Sequence, residues 1–147
     1  MPTTISTSGT VGVNLTAASQ NPVTVTGTGT IDTGGTYASA IYGYYGVPGT
    51  ITNSGLLEAP NGYGIFLKSG GTITNGSKSV PGARITGGVD GVKLGAHGPG
   101  TVDNFGTIAS TGTTAGVGVL ALGNGNVVNG STADTSASIS GISMGFR

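Results

Sequence analysis

Apolar residues alternate with small polar ones in short runs along this chain, and the runs recur as three phrases. The first phrase is Thr50-Ile51-Thr52-Asn53-Ser54-Gly55. It returns as Thr72-Ile73-Thr74-Asn75-Gly76, Thr101-Val102-Asp103-Asn104-Phe105-Gly106 and Asn126-Val127-Val128-Asn129-Gly130. An earlier variant, Thr24-Val25-Thr26-Gly27, lacks the Asn. With Val25, Ile51, Ile73, Val102 and Val127 as equivalents, the spacings are 26, 22, 29 and 25 residues. The second phrase runs through Ile41-Tyr42, Ile65-Phe66-Leu67, Val92-Lys93-Leu94, Val117-Gly118-Val119 and Ile142-Ser143-Met144. The third places Ile31, Leu57, Ile85 and Ile108 in one slot, provided residues 77–82 form an inserted loop.

A period of two predicts strands with one buried face, and helical spacing is sustained nowhere. Three short strands in each irregular coil predict an all-β, right-handed parallel β-helix (β-solenoid) of about five coils, the hand following the crossover rule. Ile51 then points inward, Thr50 and Thr52 outward, and Asn53 inward at a corner. Coils about 4.8 Å apart stack Ile51, Ile73, Val102 and Val127 as an aliphatic column. Asn53, Asn75, Asn104 and Asn129 stack as an amide ladder that satisfies buried polar groups.

Composition sharpens this picture. The 31 Gly and 7% charged residues alone would suggest a low-complexity chain, but 35% hydrophobic residues at ordered spacing favour a Gly-cornered β fold. The length of 147 residues fits a single solenoid domain, 1–147, or an excerpt of a longer array. The cations Lys68, Lys78, Lys93, Arg84 and Arg147 are scattered, which argues against nucleic-acid binding. Cysteine is absent, so no disulfide framework or metal-thiolate site is expected. Apolar runs are short, so no membrane insertion is expected, and the opening residues show no secretion signal.

The run Thr-Ile-Thr-Asn-Ser-Gly, then Gly-Ile-Phe-Leu, then Gly-Gly-Thr-Ile-Thr-Asn resembles the repeats of bacterial autotransporter and adhesin passenger domains. These adopt a pectin-lyase-like right-handed parallel β-helix. The similarity spans about Val23 to Met144 and implies a location outside the cell or on the bacterial surface. The chain departs from the family in length and shows no outer-membrane barrel.

Enzymes use parallel β-helices too. Glycoside hydrolysis needs two facing carboxylates about 5–10 Å apart, and the acids are Asp32, Glu58, Asp90, Asp103 and Asp134. Asp32 and Glu58 fall one rung apart, but no aromatic platform or third polar group recurs beside them. His97 is the sole histidine and lacks a partner for catalysis. No catalytic residue, metal ligand or cofactor is assigned, and the chain is expected not to be an enzyme. Two outward features remain. Tyr42, Phe66 and Lys93 share one outward slot, with Tyr44, Tyr45 and Tyr63 nearby, as a contact strip for a surface glycan or protein. Thr24/Thr26, Thr50/Thr52 and Thr72/Thr74 form Thr-x-Thr rungs that resemble the ice-binding face of β-solenoid antifreeze proteins. At the ends, Val11, Val13 and Leu15 alternate like a further strand, as do Ile142, Met144 and Phe146. Uncapped coils of this kind can self-associate end to end. The leading expectation is therefore a non-enzymatic extracellular structural solenoid, either a filament subunit or an adhesin stalk segment.

Overall fold

The computed structural model describes residues 1–147 except 36–38, 133–134, 143 and 147, with 144–146 traced as backbone. Asp134 and Arg147 therefore lie outside the described residues.

Among the described residues, eighteen short strands, numbered along the chain, form three six-stranded parallel sheets. Sheet one stacks β1 (Thr3–Ile5), β4 (Val23–Val25), β7 (Gly49–Asn53), β10 (Gly71–Asn75), β13 (Gly100–Asn104) and β16 (Gly125–Asn129). Sheet two stacks β2 (Ser8–Gly9), β5 (Thr30–Asp32), β8 (Leu56–Ala59), β11 (Arg84–Gly87), β14 (Thr107–Ser110) and β17 (Ser138–Ser140). Sheet three stacks β3 (Val13–Leu15), β6 (Ile41–Gly43), β9 (Ile65–Leu67), β12 (Val92–Leu94), β15 (Val117–Ala121) and β18 (Met144–Phe146). Each coil contributes one strand to each sheet. The result is a parallel β-solenoid of about five coils, preceded by a short rung, β1–β3.

Inward residues stack as columns. Ile51, Ile73, Val102 and Val127 pair in register, as do Ile31, Leu57, Ile85 and Ile108. Ile73, Ile85 and Val102 have no solvent exposure. Burying each such side chain favours folding by about 1.5–3 kcal/mol. The corner amides form the ladder expected of them: Asn53 Nδ2 donates to Asn75 Oδ1 at 2.8 Å, Asn75 to Asn104 at 2.8 Å, and Asn104 to Asn129 at 2.7 Å. The insertion at 77–82 is held by reciprocal backbone bonds between Ser77 and Val80.

The register needs correction in two sheets. Val23, not Val25, pairs with Ile51, and Val25 occupies the slot of Asn53. Thr24 therefore lies beside Thr52, while Thr26 falls beyond the strand, so Thr24/Thr26 is not a rung equivalent to Thr50/Thr52. In sheet three, Val119 rather than Val117 pairs with Val92, and Val117 pairs with Met144 rather than Ile142. Each of the three differences is a shift of two residues. Pro22, which precedes β4, has no N–H to give its neighbour. The adjacent Asn21 compensates: its Oδ1 accepts from Thr50 N at 2.8 Å and its Nδ2 donates to Pro48 O at 3.1 Å.

A glycine column, Gly49-Gly71-Gly100-Gly125, opens the strands of sheet one, and Gly49 and Gly100 make room for Leu67 and Leu94 of sheet three. A Cβ on Gly100 would lie 2.4 Å from Leu94 Cδ1. Gly71 is the most constrained, with φ of 135° and only 2.1 Å between an added Cβ and the Gly49 carbonyl oxygen. Gly71→Ala is expected to destabilise the fold by about 2–3 kcal/mol. An unchanged midpoint in urea denaturation would refute this account of the corner.

Candidate functional site

The middle residues of β6, β9 and β12 point outward because their neighbours Ile41, Ile65, Leu67, Val92 and Leu94 are buried. Tyr42 pairs with Phe66 and Phe66 with Lys93, while Asn14 and Leu120 continue the column on either side. The turn after β6 brings Tyr44 and Tyr45 to this face, and the segment before β9 brings Tyr63. Ring centroids of Tyr42 and Tyr44 lie 4.9 Å apart, Tyr42 and Phe66 5.4 Å, and Tyr63 and Phe66 5.0 Å. The first two pairs meet edge to face, the arrangement favoured by the ring quadrupole. All six strip residues thus gather on one sheet face.

Two cations sit among the rings. Lys93 Nζ lies 4.9 Å from the Tyr63 ring centre and 5.1 Å from that of Phe66, and donates to Tyr63 Oη at 3.4 Å. Lys68 Nζ lies 5.2 Å from the Tyr42 ring and 4.7 Å from the Tyr45 ring. The hydrogen bond with Tyr42 raises the Lys68 pKa above its usual value, partial desolvation opposes this, and the nearby phenols add to the rise. Lys68 therefore stays charged further into the alkaline range than a free lysine.

Sequence reasoning included Lys93 but missed Lys68 and His97. Lys68 carried a usable signal: it follows Phe66 by two residues, which places it on the same side of the strand. His97 carried none, because a loop after β12 delivers it to Tyr45, 4.7 Å away and edge-on. His97 also lines a groove of about 350 Å³ at the corner of sheets three and one, with Pro48, Ser69, Thr72 and Pro99.

Comparison with known protein families, curated proteins and solved structures finds no match.

The remaining candidates are distributed elsewhere. Asp32 and Glu58 pair across adjacent strands on the outside of sheet two, as their spacing suggests. The next residue in that slot is Thr86, which is buried. Asp90 is 5% exposed and its carboxylate accepts from Val117 N at 3.0 Å, tying one coil to the next. Sheet one carries two outward threonine columns in the corrected register, Thr4-Thr24-Thr52-Thr74 and Thr50-Thr72-Thr101. Asp103 and Val128 follow the first column and Asn126 the second. Among the described residues, no three metal-ligating side chains gather, and no helix is long and apolar enough to cross a membrane.

Chemically, the sheet-three face combines flat apolar rings, phenolic hydroxyls and two ammonium groups. Tyr44 and Tyr45 are 44% and 59% exposed, so their rings can still meet a partner. Such a surface suits stacking and hydrogen bonding.

Proposed function

We propose that this chain is a non-enzymatic structural β-solenoid, a stiff segment of an extracellular or cell-surface rod of the adhesin-stalk or fibre type. The observation carrying this reading is the continuity of the interior. Aliphatic columns and a four-residue amide ladder run through successive coils, so the inward side chains are committed to holding coil upon coil. Outer positions vary from rung to rung within this frame, from Tyr42 to Phe66 to Lys93 to Leu120. The similarity of the Thr-Ile-Thr-Asn phrases to passenger-domain repeats supports the same reading. Inserting three further copies of the coil 49–70 after residue 70 should give a folded chain about 14 Å longer along the stack by small-angle X-ray scattering. A lengthened chain that loses its strand signal or gains no length would contradict it.

The aromatic–lysine cluster favours a second reading, a glycan- or protein-binding face. Under it, a Tyr42→Ala/Phe66→Ala double variant keeps its fold and loses about tenfold in surface or glycan binding, two stacking contacts at roughly 0.5–1.5 kcal/mol each being removed. Binding equal to that of the parent protein would eliminate the strip as the contact surface.

A further inference from the structure

The charges of the sheet-three face are one-sided. Among the described residues, Lys68 and Lys93 have aromatic partners and no carboxylate partner. The described acids are placed elsewhere. Asp32 and Glu58 stand on sheet two, Asp103 takes the slot beside Thr74 on sheet one, and Asp90 is buried against Val117 N. Both lysines are partly exposed. An ammonium has three N–H donors, and a ring face beneath it leaves donors free for an anion. The face is therefore arranged for a negatively charged ligand.

Lys68 and the corner groove form one continuous site. Tyr45 joins them: Lys68 Nζ lies 4.7 Å from its ring centre, and the His97 ring is likewise 4.7 Å away. His97 and Ser69, the residue after Lys68, both line the groove. Thr72 and Thr101 add hydroxyls there, and Pro48 and Pro99 add apolar surface. The turn that presents Tyr44 and Tyr45 is fixed by three bonds. Tyr44 N donates to Leu15 O at 3.0 Å, Val47 N to Tyr44 O at 3.3 Å, and Gly46 N to Ser69 Oγ at 2.8 Å. A platform fixed in advance loses little conformational entropy when a ligand stacks on it. At about 350 Å³ the groove falls at the lower end of small-ligand sites. The whole patch is far smaller than the roughly 20–30 residues a side of a protein interface.

We infer that this site binds a polysaccharide whose sugars carry carboxylates. Sugar ring faces stack on Tyr44 and Tyr45, and a carboxylate meets the Lys68 ammonium. Sugar hydroxyls enter the groove beside Ser69, Thr72 and His97, and Lys93 takes a second carboxylate on the next coil. Each ammonium is a point charge, which suits single carboxylates spaced along a chain. Charge favours an acidic glycan over a neutral one. Patch size and the hydroxyl-lined groove favour a glycan over an acidic protein.

The inference rests on the contact-face reading, and its test separates the two. Titration calorimetry compares three probes: a short oligomer of glucuronic acid, the same oligomer with its carboxylates reduced to hydroxymethyl groups, and a polyglutamate peptide of equal charge. The full chain should bind the acidic oligomer about tenfold more tightly than either other probe. Lys68→Gln should weaken acidic-oligomer binding about fivefold and leave the neutral oligomer unchanged. Tyr45→Ala should weaken both oligomers alike, also about fivefold. Arg84→Gln, on sheet two, should change neither. Equal binding of the acidic and neutral oligomers, or equal losses in Lys68→Gln and Arg84→Gln, would overturn the inference while the contact face stands. A peptide bound as tightly as the acidic oligomer would overturn it in favour of a protein partner. Binding of none of the three would overturn it as well, and the Tyr42→Ala/Phe66→Ala variant then decides separately whether the face is a contact surface.

Discussion

Ile73→Asp is expected to abolish cooperative folding. Ile73 has no solvent exposure and sits at the centre of an aliphatic column, with Ile51 on one side and Val102 on the other. A carboxylate there loses its hydration without gaining a donor, since neighbours on both sides are hydrocarbon. The expected loss is about 4 kcal/mol or more, a large part of the 5–15 kcal/mol typical of a domain. A solenoid spreads the damage, because each coil is stabilised chiefly by its two neighbours. Circular dichroism should show a lost strand signal or a much lower melting point. A variant with the parent's spectrum and melting point would mean that Ile73 is not in the interior column.

The second large effect is expected at the ladder. Asn75 uses both ends of its amide: its oxygen accepts from Asn53, and its nitrogen donates to Asn104 at 2.8 Å. Asn75→Asp keeps the shape and the acceptor but replaces the donor with a second oxygen facing Asn104 Oδ1. Burial and this opposed oxygen both raise the carboxyl's pKa in the folded state above its unfolded value of about 3.9. The sign follows from that direction. The protonated acid can donate to Asn104, so stability is best below the unfolded pKa and falls as pH rises through the folded one. Near neutral pH the variant should be less stable by roughly 3–5 kcal/mol, as for an uncompensated buried charge. Urea denaturation at pH 3.5 and pH 7.5, normalised to the parent protein, measures the difference. A deficit that is the same at both pH values would show that Asn75 does not need its donor.

These two positions also show how the architecture was legible. Ile73 and Asn75 belong to a phrase that repeats nearly letter for letter, so stacking like upon like predicted both their partners and their burial. The outer strip was partly legible for the same reason. Tyr42, Phe66 and Lys93 share a slot because their strands are in register. His97 was not legible, since a loop sets its place beside Tyr45 and loops carry no period.

The alternation of apolar and polar residues by itself determined strands, coils, the inward columns and the amide ladder. It could not determine the register of β4 or β15. A shift of two residues leaves every inward side chain inward, so Val23 and Val25, or Val117 and Val119, satisfy the pattern equally well. Only the folded chain chose between them, through corner contacts such as Asn21 bonding Thr50 and Pro48, and the pairing of Val119 with Val92. The meeting of Lys68 with Tyr42 and Tyr45 was likewise settled in three dimensions, because a strand and a turn separated in sequence had to converge on one sheet face.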